Sequence, residues 1–475
     1  AALGPLAAQI TGFAIDHRKV APGCVFGAFQ GATVNGEDFI PAAIASGAIA
    51  IVARPEAAVA GALHVPAANP RAAFARLAAG WYAPFPQVAA AVTGTNGKTS
   101  TVELTRQLWH LAGERAASMG TLGVTTAGER IAAGTSGLTT PDIVTFLATA
   151  AGLRREGITH LAFEASSHGL DQHRMEGLSV RAAAFTNLTR DHLDYHGTME
   201  RYFAAKRRLF TEVADPDAAA IVWRDNRAEG ADHNRAIAEA AAARGLSLLT
   251  VGPDGDAIRL LARTPSRLGQ ALKLDAGGTR FDLMLPLIGG YQAANALVAA
   301  GIAIGLGADP KQTFDRLSRM TGIRGRLERA VITASGAPAY VDYAHTPDAL
   351  SAAIAALRPH TANRLILVFG CGGDRDRGKR PEMGRIAVEA ADIAIVTDDN
   401  PRTEDPAAIR REILTGAPGA IEIAGRRAAI ADALARAKDG DVVLIAGKGH
   451  EQGQIIGREV LPFDDASVAR EEARA

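Results

Sequence analysis

The chain has 475 residues, 48% of them hydrophobic and 21% charged, with 51 Lys+Arg against 51 Asp+Glu. Its length exceeds one ordinary hydrophobic core and implies roughly three domains, while the balanced charge argues against nucleic acid as the main partner, since phosphate-backbone binding shows as basic excess. No run approaches the ~20 apolar residues of a membrane span, and two cysteines, Cys24 and Cys371, cannot build a disulfide framework, which points to a reducing, cytoplasmic setting.

The opening AALGPLAAQITGF lacks the basic start and apolar block of a secretory signal. Up to residue 87, short strands such as 49–52 mix with helices. Pro84 and Pro86 then punctuate the chain, so a domain 1–87 is expected to end there. From 88 to 320, strands at 88–92, 158–163 and 182–186 alternate with helical patterns, which predicts parallel βαβ units closed by a helix over 291–304. The pattern restarts over 321–475, with strands at 339–341, 365–369, 393–397, 421–423 and 442–445. Ligands of open α/β sheets bind beyond the carboxyl ends of the strands. The polar clusters 370–376, 398–402 and 447–451 are therefore expected to converge.

Between the strand 88–92 and a helix from Lys98 lies Thr93-Gly94-Thr95-Asn96-Gly97-Lys98-Thr99-Ser100. Glycines turn backbone N–H groups toward phosphate oxygens, and a helix N-terminus adds partial positive charge. In this reading Lys98 reaches the β- and γ-phosphates and Thr99 offers its hydroxyl to Mg²⁺. The general G-x-x-x-x-G-K-[ST] pattern wants glycine at position 92, where this chain has Val92. Glu164, ending a parallel strand, suits a hard cation, though an isolated strand-end glutamate is commonplace. His192 taken alone reads equally as a structural hydrogen bonder. Lys206, flanked by Arg207 and Arg208 on an amphipathic helix, reads on its own as a solvated face.

The motifs TGTNGKTS (93–100), EASSHGLDQHR (164–174), TNLTRDHLDYH (186–196), AAKRRLF (204–210), DYAHTPDAL (342–350), GCGGDRDRGKRPEM (370–383), TDDNPRTEDP (397–406) and AGKGHE (446–451) together resemble the Mur ligase family. They run in family order and cover all three expected domains. The resemblance implies an α/β fold of three domains: an N-terminal UDP-substrate-binding domain, a central P-loop-type parallel-sheet ATPase domain and a Rossmann-like C-terminal domain for the amino acid. It implies ATP bound by Gly94, Thr95, Asn96, Gly97, Lys98, Thr99, Ser100, Asn295, Arg326 and Asp342, with His345 ranked lower. Thr99, Glu164, His192 and a Lys206 carbamylated by CO₂ would hold Mg²⁺. Lys98, Lys206 and His192 would serve catalysis. Thr139, Thr140, Ser166, Gln172 and Arg174 match sugar and peptide contacts of the nucleotide substrate. At the N-terminus the match is looser: Asp16-His17-Arg18 stands where Asp-Ser-Arg is common, and the loop 31–36 departs from the histidine-containing version. Arg18 is carried over as a UDP-substrate contact.

The implied activity is ATP-dependent addition of meso-2,6-diaminopimelate to UDP-N-acetylmuramoyl-L-Ala-D-Glu through an acyl phosphate, a step of peptidoglycan biosynthesis. Diaminopimelate carries a carboxylate on its distal carbon that lysine lacks. Asp399-Asn400-Pro401-Arg402 matches the diaminopimelate-type signature, with Arg402 as a planar fork for that carboxylate. Arg375, Gly447 and Glu451 complete the pocket, Glu451 toward the distal ammonium. A monomer with small-molecule substrates is expected, with domain closure between ATP and the amine donor. Alternatives are an L-lysine-adding relative and a folylpolyglutamate synthetase-like ligase, the latter lacking the DNPR and GKGHE clusters. A non-catalytic nucleotide-binding protein and a P-loop motor or switch are alternatives of other classes.

Overall fold

The computed structural model describes residues 9–31, 34–126, 130–131, 139–228 and 230–474. The first eight residues of the opening segment, and Ala32 and Thr33 of the loop 31–36, lie outside them. The chain divides into two compact units: one runs to residue 257 and includes 301–308, and the other comprises 258–300 and 309 onward.

The first unit starts with four short parallel strands, β1 (Gly12–Ala14), β2 (Cys24–Gly27), β3 (Ala50–Ala53) and β4 (Leu63–Pro66). Its larger sheet contains β5 (Val88–Thr93), β6 (Ala116–Gly120), β7 (Gly123–Thr125), β8 (Arg130–Ile131), β9 (His160–Glu164), β10 (Ala182–Phe185), β11 (Ala219–Trp223) and β12 (Ser247–Gly252). Strand β5 lies in parallel between β10 and β9, with Val92 opposite both Ala184 and Glu164. Only β6–β7 and β7–β8 are antiparallel among the described pairs of this unit. Ala89, Ala90, Ala91 and Val92 are all fully buried, as expected of a parallel strand covered on both faces. Phe13 and Val25 of the small sheet share one apolar cluster with Phe163 of the larger one and Phe146 of the helix Ile143–Arg155, so residues up to 87 have no separate core on that side.

The second unit carries an antiparallel meander, β13 (Ile258–Ser266), β14 (Gly269–Ala276) and β15 (Thr279–Leu285). Its main sheet contains β16 (Glu328–Ile332), β17 (Pro338–Asp342), β18 (Leu365–Phe369), β19 (Ile393–Val396), β20 (Ile421–Glu422) and β21 (Val442–Ala446). The order is β16-β17-β21-β18-β19-β20, parallel except at the β16 edge. A hairpin, β22 (Gly453–Ile456) with β23 (Glu459–Pro462), follows. Alternation along β18 feeds two cores: Leu365, Leu367 and Phe369 enter one apolar cluster, Ile366 and Val368 the other. Beneath this sheet Arg426 and Asp465, whose side chains are both 0% exposed, form a two-pronged ion pair with both N···O distances 2.7 Å.

The predicted strands of both sheets appear, and the predicted helix 291–304 is observed as Gly290–Gly305. The meander and the hairpin were not anticipated. Among the described residues no helix is long and apolar enough to cross a membrane.

Candidate functional site

In the first unit the chain leaves β5 at Thr93 and enters the helix Lys98–Leu111 through Gly94–Gly97. The strand is still running at Val92, so the turn begins two residues later than the general pattern expects. A Cβ on Gly94 would sit 1.9 Å from Thr186 Oγ1, so nothing larger than glycine fits. Gly97 takes φ 86°, left-handed, at the helix start. No described side chain caps this helix and its first turn holds no acid, whereas Asp142 caps the helix Ile143–Arg155 and Thr198 the helix Met199–Arg208. The loop is pinned from the end of β10 instead. Asn96 N donates to Asn187 Oδ1 at 2.9 Å, and Thr186 Oγ1 donates to Asn96 O at 2.6 Å. The outcome is a helix N-terminus with its positive pole open to an anion.

Two lysine amines meet at one carbonyl oxygen. Lys98 Nζ donates to Gly94 O at 2.9 Å and Lys206 Nζ to the same atom at 2.7 Å. Lys206 is 1% exposed, so the solvated-face reading of its helix does not hold. Its Nζ lies 4.5 Å from the Tyr202 ring centroid, and no carboxylate of the described residues is within ion-pair reach. Burial, reinforced by the Lys98 charge, pushes the Lys206 amine well below the usual lysine range. Glu164, 2% exposed, stands on the neighbouring strand. Its carboxylate accepts from Thr99 Oγ1 at 2.9 Å and from Thr121 N at 2.7 Å. The Thr99 hydroxyl and Glu164 carboxylate thus form a buried pair of hard oxygen donors, which fits a divalent cation completed by phosphate oxygens. Among the described residues no group of three or more His, Cys, Asp or Glu side chains could hold a metal by itself. His192 stands at the start of the short helix Leu193–His196. It has a left-handed backbone (φ 52°), its side chain is 44% exposed, and its ring lies 4.9 Å from that of His168. Burial and the neighbouring His192 and His196 push His168 down to about 4, so it is neutral at pH 7.

The five residues matched to the nucleotide substrate form one network beside Glu164. Thr140 Oγ1 donates to Glu164 O and accepts from Ser166 N. Arg174 donates to Thr140 O at 2.9 Å and to Gln172 Oε1 at 2.7 Å. Thr139 Oγ1 accepts from Thr121 Oγ1 at 3.4 Å. Arg18 is elsewhere, bound to Asp16 at 2.8 Å on the rim of a cleft of about 640 Å³ that Phe29, Arg71 and Asp142 also line.

The second unit gathers the remaining residues. Asn295 Nδ2 donates to Gln292 Oε1, and Gln292 Nε2 donates to Arg326 O at 3.0 Å. The Arg326 guanidinium lies over the Tyr343 ring, 5.1 Å from its centroid. Asp342 ends β17 and accepts from Leu327 N and Ala344 N; burial raises its carboxyl against the pull of Arg326. His345 is exposed and turns to Tyr343 O at 2.8 Å. From Asp342 O, which accepts from Gly447 N at 3.1 Å, the chain of contacts continues to the three strand-end clusters. Arg402 Nη1 donates to Gly373 O at 2.8 Å, and Asn400 Nδ2 donates to Glu451 Oε2 at 2.8 Å. Asp399 and Asn400 are buried, Pro401 leads into Arg402, and Arg375 is exposed. Arg402 and Asp374 both hold left-handed backbone, φ 51° and 53°, a conformation that costs an L-residue roughly 1–2 kcal/mol. The convergence of the three clusters expected from topology is observed.

Sequence reasoning passed over Thr121, Asn187, Tyr202 and Lys448. Tyr202 OH lies 3.1 Å from Thr95 Oγ1, and Lys448 Nζ donates to Asn400 Oδ1 at 2.9 Å. Asn187 and Lys448 fall inside the motifs 186–196 and 446–451, so the signal was position within a motif. Thr121 carried none.

Three family descriptions match in succession: the Mur ligase family catalytic domain over residues 9–91, the Mur ligase middle domain over 92–303, and the Mur ligase glutamate ligase domain over 325–449. A UDP-N-acetylmuramoyl-L-alanyl-D-glutamate–2,6-diaminopimelate ligase of Zymomonas mobilis subsp. mobilis is 59% identical, over 97% of this chain and 94% of the relative. The protein of the same description in Caulobacter vibrioides is 51% identical, over 96% and 94%. A solved structure with that description superposes with a TM-score of 0.74 at 33% identity, over 98% of this chain and 95% of the other. The chain belongs to the Mur ligase family and is an ATP-dependent amide ligase.

Proposed function

We propose that this chain joins meso-2,6-diaminopimelate to UDP-N-acetylmuramoyl-L-Ala-D-Glu at the expense of ATP in peptidoglycan synthesis, as the names of its close relatives describe for those proteins. The reading assigns it to the cytoplasm as a monomer of three functional parts, 1–87, 88–320 and 321–475. The observation that carries the amino-acid assignment is the presence of opposite charges in one strand-end cluster. The Arg402 guanidinium and the Glu451 carboxylate suit the carboxylate and ammonium of the distal carbon of diaminopimelate. Lysine has no group for Arg402.

The turn Gly94–Gly97 and the helix start receive the triphosphate, and Lys98 swings from its own loop carbonyls to the β- and γ-oxygens. Thr99, Glu164 and Lys206, with His192 in support, would hold Mg²⁺, which when bound supplies charge neutralisation at the γ-phosphate. A carboxylate oxygen of D-glutamate attacks the γ-phosphorus, expelling ADP and forming an acyl phosphate. The neutral amine of diaminopimelate then attacks the acyl carbon. Loss of phosphate and a proton leaves the amide. Thr139, Thr140, Ser166, Gln172 and Arg174 orient the acceptor, with Arg18 at the nucleotide end. Asn295, Arg326 and Asp342 contact ATP in this reading, with His345 at the margin.

Carbamylation of Lys206 is part of the proposal. A buried lysine whose amine is driven toward neutrality is the form that captures CO₂, and the carbamate formed, with loss of a proton, would set beside Lys98 an anion able to bind metal. A ¹³C NMR carbamate signal after equilibration with ¹³CO₂, absent from Lys206→Met, supports this; its absence from the wild-type protein contradicts it. The acyl phosphate is tested with ¹⁸O in the D-glutamyl γ-carboxylate. One label must appear in the released phosphate, and unlabelled phosphate refutes the route.

A further inference from the structure

We propose that Lys448 is a positioning residue of the amino-acid pocket, tethering Asn400 and Glu451 so that one oxygen of the Glu451 carboxylate is reserved for the incoming ammonium. The inference rests on the reading that Glu451 receives that ammonium. Lys448 follows β21, and its side chain is 0% exposed, while that of Glu451 is 34% exposed at the rim. An ammonium donates and never accepts, so every polar atom it touches must be an acceptor. Its contacts are Asn400 Oδ1 at 2.9 Å and Glu451 Oε2 at 3.2 Å. That fixes the Asn400 amide. Its Oδ1 takes Lys448 and the Ile455 N–H, at 3.0 Å, and its Nδ2 is left to donate to Glu451 Oε2 at 2.8 Å.

Glu451 Oε2 therefore accepts twice, while no described hydrogen bond engages Oε1. Removing Lys448 would strengthen the field at Glu451. Solvent screens a group one-third exposed, however, so the loss of orientation outweighs the gain.

The test is steady-state kinetics on the full chain for wild type, Lys448→Met, Glu451→Gln and the double variant. Lys448→Met is expected to raise the KM for diaminopimelate about tenfold to hundredfold, the size of a lost charge-assisted hydrogen bond. Its kcat and its KM for ATP stay near wild type. In the double variant the KM matches that of Glu451→Gln alone, because Lys448 acts through Glu451. Full additivity, or an unchanged KM in Lys448→Met beside a raised one in Glu451→Gln, overturns the role of Lys448 and leaves that of Glu451 standing. An unchanged KM in Glu451→Gln refutes the Glu451 reading itself, and the tether with it. If Lys448→Met does not fold, Lys448→Gln replaces it. That variant keeps one donor for Asn400, an intermediate KM is expected, and a wild-type KM overturns the proposal.

Discussion

The carboxyl ends of β5 and β9 in the first unit and of β17, β18, β19 and β21 in the second both gather polar residues, but by opposite means. At the first, main-chain geometry dominates: a glycine turn, an uncapped helix start, and two lysines sharing the carbonyl oxygen of Gly94. At the second, side chains pair among themselves, Arg426 with Asp465, Lys448 with Glu451 and Arg380 with Glu404. In the function proposed above, the first site takes a polyanion at a helix start and the second a zwitterion held between side chains. The difference teaches where each kind of substitution will act.

Asp465→Ala should have the largest effect, and on stability. It strands the buried Arg426, whose charged form burial disfavours and Asp465 stabilises. Urea unfolding should show a loss of about 4 kcal/mol, within the range for breaking a buried ion pair. An effect below 1 kcal/mol would mean that water reaches Arg426. Lys98→Met breaks the comparison from the other side. It should lower kcat by about 10²–10³-fold, the usual cost of removing a group that meets transition-state charge, with melting temperature unchanged. Arg402→Ala should raise the KM for diaminopimelate about 10- to 100-fold, as for one charge-assisted contact, with the KM for ATP unaltered. An equal rise for both substrates would merge the two sites functionally. Thr198→Ala removes the cap of the helix that carries Lys206. Its expected cost is the smallest, about 1 kcal/mol in thermal or urea unfolding.

How much of this was legible in the sequence follows from the same contrast. Strands such as Leu365–Phe369 announce themselves because both faces are buried and every residue is apolar. The meander β13–β15 does not. Its outer residues, including Leu261 and Met284, are half exposed, and apolar and polar positions follow no clean alternation. The one sharp signal, Gly277-Gly278 with φ 59° and 81° between β14 and β15, is a two-residue hairpin turn that the βαβ reading passed over. Within the sites, the residues of the turn Gly94–Gly97 were readable because backbone geometry imposes glycines at fixed spacing. The burial of Lys206 was not. Its acceptor, Gly94 O, is 112 residues away, and the surrounding sequence of its own helix is basic. Lys448 was hidden for the reverse reason: a lysine after a strand looks solvated until Asn400 and Glu451 are brought against it.

The most direct test is an end-point assay of phosphate and ligated product, with UDP-N-acetylmuramoyl-L-Ala-D-Glu, ATP and Mg²⁺, offering meso-diaminopimelate or L-lysine as the amine. Equal amounts of phosphate and tripeptide product with diaminopimelate, and neither with lysine, is the predicted result. Turnover that prefers lysine, or ATP cleavage that needs no amino acid, would contradict it.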